Sequence, residues 1–124
     1  MVDVADAAAV IAQFWDVQDE GDYTKLVDLF AEDAVLVDPF LGEILGNKAI
    51  ADYMQTMNEQ VGASEGRFER VDLCAGGEAA WTSWNWITKD GTANGVTTYR
   101  VRDGKIVFYR DYMGSPPPGM EPEG

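Results

Sequence analysis

Asp38 and Asp111 are the residues of this chain whose surroundings could do chemistry. Asp38 follows the apolar run Ala34-Val35-Leu36-Val37 and precedes Pro39-Phe40. Burying an ionised carboxylate in such a place is unfavourable unless partners or a shift in proton affinity relieve it. Asp38 is therefore read two ways: as a general base, or as a turn residue whose side chain bonds nearby backbone N–H groups. Asp111 lies in Phe108-Tyr109-Arg110-Asp111-Tyr112-Met113. Strand alternation puts it on a face with Val107, Tyr109 and Met113, with Arg110 pointing away. There it serves as a second acid or hydrogen-bonding partner, or, if Arg100 or Arg102 lies beside it, as half of an ion pair. Two carboxylates held apart in proton affinity can shift or add a proton next to a carbonyl, or open an epoxide. The chain has no His, so Asp, Glu, Tyr and Cys must carry any acid–base work. Its single Cys, Cys74, cannot form an internal disulfide and reads as a strand end. No metal or organic cofactor is expected.

The elements that position these groups follow from periodicity. From about Val4, Ala7, Val10, Ile11, Phe14 and Val17 recur at helical spacing, and Gly21 is placed to end that helix. Asp22 is placed to cap a short second helix carrying Leu26, Leu29 and Phe30. The run before Asp38 supplies a first strand. After the loop Leu41–Gly46, Asn47 is expected to cap a third helix in which Ile50, Tyr53, Met54 and Met57 share a face. Four strand-like segments follow, Glu65–Cys74, Ala79–Thr88, Gly95–Asp103 and Lys105–Met113, and Asp103-Gly104 is a strong hairpin signal. Three helices in the N-terminal half against a mostly antiparallel sheet predict an α+β fold. Residues 1–114 form one domain, and the Pro/Gly-rich residues 115–124 read as a disordered or loosely packed arm.

Phe14, Tyr53, Met57, Trp84, Trp86 and Tyr109 are the expected walls of a site for a small, apolar, uncharged ligand. Trp84 and Trp86 share a strand face with Thr82, while Met54 and Met57 suit adaptable packing. The chain has 124 residues, 46% of them hydrophobic, enough for one domain with a real core. A net charge of −13 repels phosphate backbones and anionic lipid, so neither nucleic acid nor membrane is an expected partner. There is no long apolar run, and the N-terminus lacks the basic start of a signal peptide, so a cytoplasmic protein is expected. On the last strand Ile106, Phe108 and Tyr112 lie opposite the site face, which predicts a homodimer built on the outside of the sheet.

The segment FWDVQDEGDYTKLVDLFAEDAVLVDPFLGEILGNKAIADYM and the closing GKIVFYRDYMG resemble the nuclear transport factor 2-like superfamily over about Val4 to Gly114. The resemblance implies a sheet curled into a cone, helices closing one side and an apolar pocket inside. That fold hosts isomerases, epoxide hydrolases, polyketide cyclases, dehydratases and plain binding proteins. The opening half is most similar to steroid delta-isomerases, in which Asp38 would match the general base. Phe14 stands where those enzymes carry a hydrogen-bonding Tyr, and Thr97 where they carry a protonated Asp, so Thr97 would line the ligand site. Asp111 resembles the pocket carboxylate of limonene epoxide hydrolases and SnoaL-like cyclases, but Trp84 and Trp86 stand where the hydrolases complete their triad, with Asn85 one residue away. Similarity to polyether-type epoxide-opening cyclases would place Glu65 or Glu69 as a second carboxylate beside Asp38. The resemblance thus implies an enzyme using pocket carboxylates on a neutral substrate, or a non-catalytic binding or structural dimeric protein.

Overall fold

The computed structural model describes residues 6–114; the expected C-terminal arm, residues 115–124, lies outside them. Helix α1 spans Ala7–Asp19. It starts at Ala7, where the Asp6 carboxylate caps it by accepting a hydrogen bond from the Ala9 N–H at 3.1 Å, and the expected start near Val4 lies outside the described residues. Its inward stripe is Ala7, Val10, Ile11, Phe14, Trp15 and Gln18, and Gly21 leaves it at φ +90°. The second helix is a 3₁₀ helix, Tyr23–Leu29, started by Asp22, whose carboxylate accepts from the Thr24 N–H and hydroxyl. At seven residues it stays in the tighter, shorter form.

Strand β1, Phe30–Asp38, turns at Pro39–Leu41 into β2, Gly42–Leu45. The Leu41–Gly46 segment therefore contains a strand where a loop was expected. Helix α2 runs Asn47–Ala63, and its cap is Gly46 at φ +85°, with no side-chain capping bond. Asn47 is the first helical residue and not the cap. Four strands complete the sheet: β3 (Arg67–Gly76), β4 (Ala79–Thr88), β5 (Gly91–Arg102) and β6 (Lys105–Met113). β5 begins at Gly91, before the expected Gly95, because β4 and β5 pair down to Thr88–Gly91 and leave only Lys89-Asp90 as a turn.

The strand order is β2-β1-β6-β5-β4-β3. All neighbours are antiparallel except β1 and β6, which run parallel. The curved sheet packs its inner face against α1, the 3₁₀ helix and α2, giving the α+β architecture that the periodicity implies. Phe14 anchors this layer, its ring meeting those of Trp15, Phe30, Tyr99 and Tyr109 at centroid distances of 5.7–6.5 Å. Fully buried side chains such as Phe14, Leu36 and Ile50 each stabilise the fold by about 1.5–3 kcal/mol relative to exposure.

One face assignment changes. Val101 pairs with Ile106 but Arg100 pairs with Phe108, so Val107 is an extra residue in β6. This bulge turns Ile106 into the core, fully buried, instead of onto the outer face with Phe108 and Tyr112.

Candidate active site

Between the inner face of the sheet and the helices lies a cavity of about 500 Å³. α1 brings Phe14 to its wall and α2 brings Tyr53 and Met57. β4 contributes Trp84 and Trp86, β5 Thr97, β6 Tyr109 and Asp111, and the end of β1 Asp38. Asp38, Asp111 and the expected wall residues thus border one cavity, whose lining among the described residues holds no Lys or Arg.

Asp38 works on two fronts. Its Oδ1 accepts from the Phe40 N–H at 2.8 Å and the Leu41 N–H at 3.0 Å, which forms the β1–β2 turn. Its Oδ2 accepts from the Tyr53 hydroxyl at 2.8 Å. The turn reading is therefore realised through one oxygen while the other faces the cavity side. Burial raises the Tyr53 hydroxyl well above its ordinary range, and the charges of Asp111 and Asp38 push it the same way, so it stays a neutral donor.

Asp111 is held from behind. The Trp84 Nε1–H donates to Thr97 Oγ1 at 2.8 Å, and the Thr97 hydroxyl donates to Asp111 Oδ1 at 2.5 Å. Thr97 stands directly opposite Asp111 in the β5–β6 register, which makes this contact a cross-strand pair. Asp111 is half-buried, but the surface it shows is cavity wall, and the protein around it desolvates the carboxyl. That desolvation pushes it up to about 7; the charge of Asp38 adds to the effect, and hydrogen bonds from Thr97 and Tyr109 oppose it. Tyr109 itself is raised, first by burial and then by the Asp111 charge.

Several expectations are corrected. Arg100 and Arg102 are exposed on the outer side, Arg102 with Glu78 at 4.0 Å, so neither pairs with Asp111. Glu65 sits exposed in the turn after α2, and Glu69 is exposed beside Arg67 at 3.5 Å; neither borders the cavity. Asn85 alternates to the face opposite Trp84 and Trp86 and is also absent from the lining. Trp84 and Trp86 stand on the cavity wall as expected, Trp84 tied to Thr97 and Trp86 stacked on Phe68 at 5.6 Å.

Other lining residues were not read from the sequence. Gln18 and Trp15 belong to the buried stripe of α1, at the i+4 and i+1 positions from Phe14, and the i+4 spacing was the available signal. Phe68 alternates with exposed charges along β3, a pattern that could have marked it as inward. Behind the cavity the Tyr99 hydroxyl meets Thr82 Oγ1 at 2.6 Å and accepts from the Trp15 Nε1–H at 3.3 Å, a buried polar set on the same faces.

A family model described as a SnoaL-like domain matches residues 11–109. The chain belongs to the SnoaL-like family. Solved structures agree with that fold. An NTF2-like protein of unknown function from Mesorhizobium loti is 27% identical with a TM-score of 0.74, over 87% of this chain and 90% of that one. A candidate ketosteroid isomerase from Kribbella flavida is 23% identical with a TM-score of 0.73, over 90% of this chain and 82% of that one. SalBIII, an epoxide hydrolase/cyclase-like enzyme of pyran ring formation in the polyether salinomycin, is 22% identical with a TM-score of 0.70, over 85% and 88% of the two chains. No curated protein is significantly similar in sequence. This SnoaL-like chain thus has the nuclear transport factor 2-like fold, and among its described residues no helix is long and apolar enough to cross a membrane.

Proposed function

We propose that this SnoaL-like protein is an enzyme that uses Asp38 as base and Asp111 as acid on a small, apolar, neutral substrate, by isomerisation, cyclisation or epoxide opening. The observation that carries the proposal is the presence of both carboxylates on one apolar cavity wall, one of them raised to about 7 by burial. A carboxyl that is part protonated at neutral pH can donate, and a neighbouring acceptor can take a proton, without histidine. In epoxide opening, Asp111 gives its proton to the ring oxygen as the C–O bond breaks. Asp38 takes the proton of the incoming hydroxyl as the new C–O bond forms. In isomerisation, Asp38 moves a proton between two carbons while Asp111 hydrogen-bonds the carbonyl oxygen. The Kribbella and SalBIII structures, described as a candidate ketosteroid isomerase and an epoxide hydrolase/cyclase-like enzyme, support reactions of this class on the same fold.

A second reading, a non-catalytic binding module, draws on a different observation. Both oxygens of Asp38 already have donors, three in all. The two readings separate on the Asp38→Asn and Asp111→Asn variants, assayed against a panel of neutral epoxy-alcohols and β,γ-unsaturated ketones. On the enzyme reading each variant loses about 10²–10⁴ in turnover with little change in affinity. Turnover at the native rate by both variants would overturn it.

A further inference from the structure

Gln18 has no counterpart in the chemistry above, and its setting is unusual. It is only 9% exposed, yet its side-chain amide bonds to no described residue. The other two buried polar side chains among the described residues, Thr82 and Thr97, are both paired. A side chain this buried whose amide bonds to no protein group keeps two donors and an acceptor free for whatever enters the space beside it. The amide is not sealed inside the protein as Trp86 Nε1 is; the spaces that Gln18 borders are the cavity and a polar cleft next to it.

The shared walls locate it. Trp15, Gln18, Tyr23 and Phe68 border both the cavity and the cleft, whereas Asp38, Tyr53 and Asp111 border the cavity alone. Gln18 therefore marks the end of the cavity away from the carboxylates. We propose that Gln18 orients the ligand by hydrogen-bonding an uncharged oxygen, a carbonyl or hydroxyl, at the end of the molecule opposite the Asp38–Asp111 pair. This rests on the reading that the cavity takes an apolar neutral ligand, and it adds that such a ligand carries an oxygen at each end of an apolar body. An anionic group is disfavoured there, because Asp16, Asp19 and Glu69 border the cleft beside Arg67 and Arg70 and leave it no net positive charge.

The test uses the full chain and two rigid probes, androstenedione and the monoketone that lacks its ring D oxygen, titrated by tryptophan fluorescence. Trp15, Trp84 and Trp86 all border the cavity and report its occupancy. The native protein is expected to prefer the diketone by about tenfold, the size of one hydrogen bond to a buried amide. Gln18→Leu is expected to bind both probes equally, and Gln18→Met, close in length but without the amide, to do the same. The ligand-free variants should melt close to the native temperature, since the amide makes no bond to the protein that either substitution would remove. A lower melting temperature in both variants would make Gln18 a structural residue and overturn the proposal. So would a diketone preference that survives both substitutions, or no preference in the native protein, and either result would leave the cavity reading standing. If neither probe perturbs the fluorescence of the native protein, the cavity reading falls and the role of Gln18 falls with it.

Discussion

Asp111 ties the stability of the molecule to pH in the sense opposite to a salt-bridged carboxylate. Its folded value of about 7 lies above the ordinary 3.8, so between about pH 4 and 7 the native state holds a proton that the unfolded chain has released. The stabilisation is complete below that window and is lost as pH rises through it. Asp111→Asn stays neutral throughout and keeps an acceptor for the Thr97 hydroxyl. Its stability relative to the native protein should therefore climb between pH 4 and 8, by a gain on the order of a few kcal/mol in melting or denaturant curves. A constant difference across that range would mean that Asp111 is not desolvated. The β4 tryptophans of the cavity should separate as well: Trp84→Phe strips the donor from Thr97, whereas Trp86→Phe removes an N–H that has no partner. The first should cost about 1 kcal/mol more than the second in thermal melts. Both carboxylates were legible because a strand shows its faces at a period of two, so Asp111 and Tyr109 could be assigned together. Gln18 was not, because a lone polar residue on a helix reads as solvent-facing until its spacing from Phe14 and Trp15 is counted.

Among the elements, the β4–β5 pair has one position that tolerates nothing but hydrogen. Gly95 faces Trp84 in register, and a Cβ there would sit 2.5 Å from Trp84 Cη2 and 2.5 Å from the Tyr112 carbonyl oxygen. Both neighbours are fixed, one a buried ring and the other backbone, so neither can give way cheaply. Gly95→Ala should destabilise the protein by about 1–3 kcal/mol or more. It should also dislodge the Trp84 indole from Thr97 and so shift the pH window of Asp111, which the same melting series would report. An unchanged melting temperature would show that the ring is free to move. Ala79–Thr88 and Lys105–Met113 were legible to the residue because alternation and turn residues agree there. β2 was hidden because four residues bounded by glycines carry too little pattern to outweigh a loop. The Val107 bulge was hidden because an extra residue changes the faces on either side without changing composition.

At the scale of the whole molecule, the outer sheet face carries Tyr112 across from Val96, with Trp81 nearby, all exposed, and the Arg110 guanidinium lies 4.8 Å from the Tyr112 ring. We propose this face as a homodimer interface burying roughly 1,200–2,000 Å². With −13 on each chain, two copies repel, so added salt should strengthen the dimer, the reverse of an interface held by opposite charges. Sedimentation at low and moderate salt would show it, and a monomer at micromolar concentration in both would remove the interface.

The single parallel pairing has a consequence for how the chain reaches this structure. β1 leans on β6, with Phe30 opposite Ile106, while β3, β4 and β5 each pair with the strand that follows in sequence. A nascent chain can close the later hairpins as they emerge, but β1 must wait with one edge unpaired until the last strand exists. Asp38 and Asp111 lie on those two strands. They can meet only at the final step, so the carboxylate pair is a product of complete folding. Pulse-labelled hydrogen exchange during refolding should protect β4 and β5 before β1, and simultaneous protection would show a single concerted step.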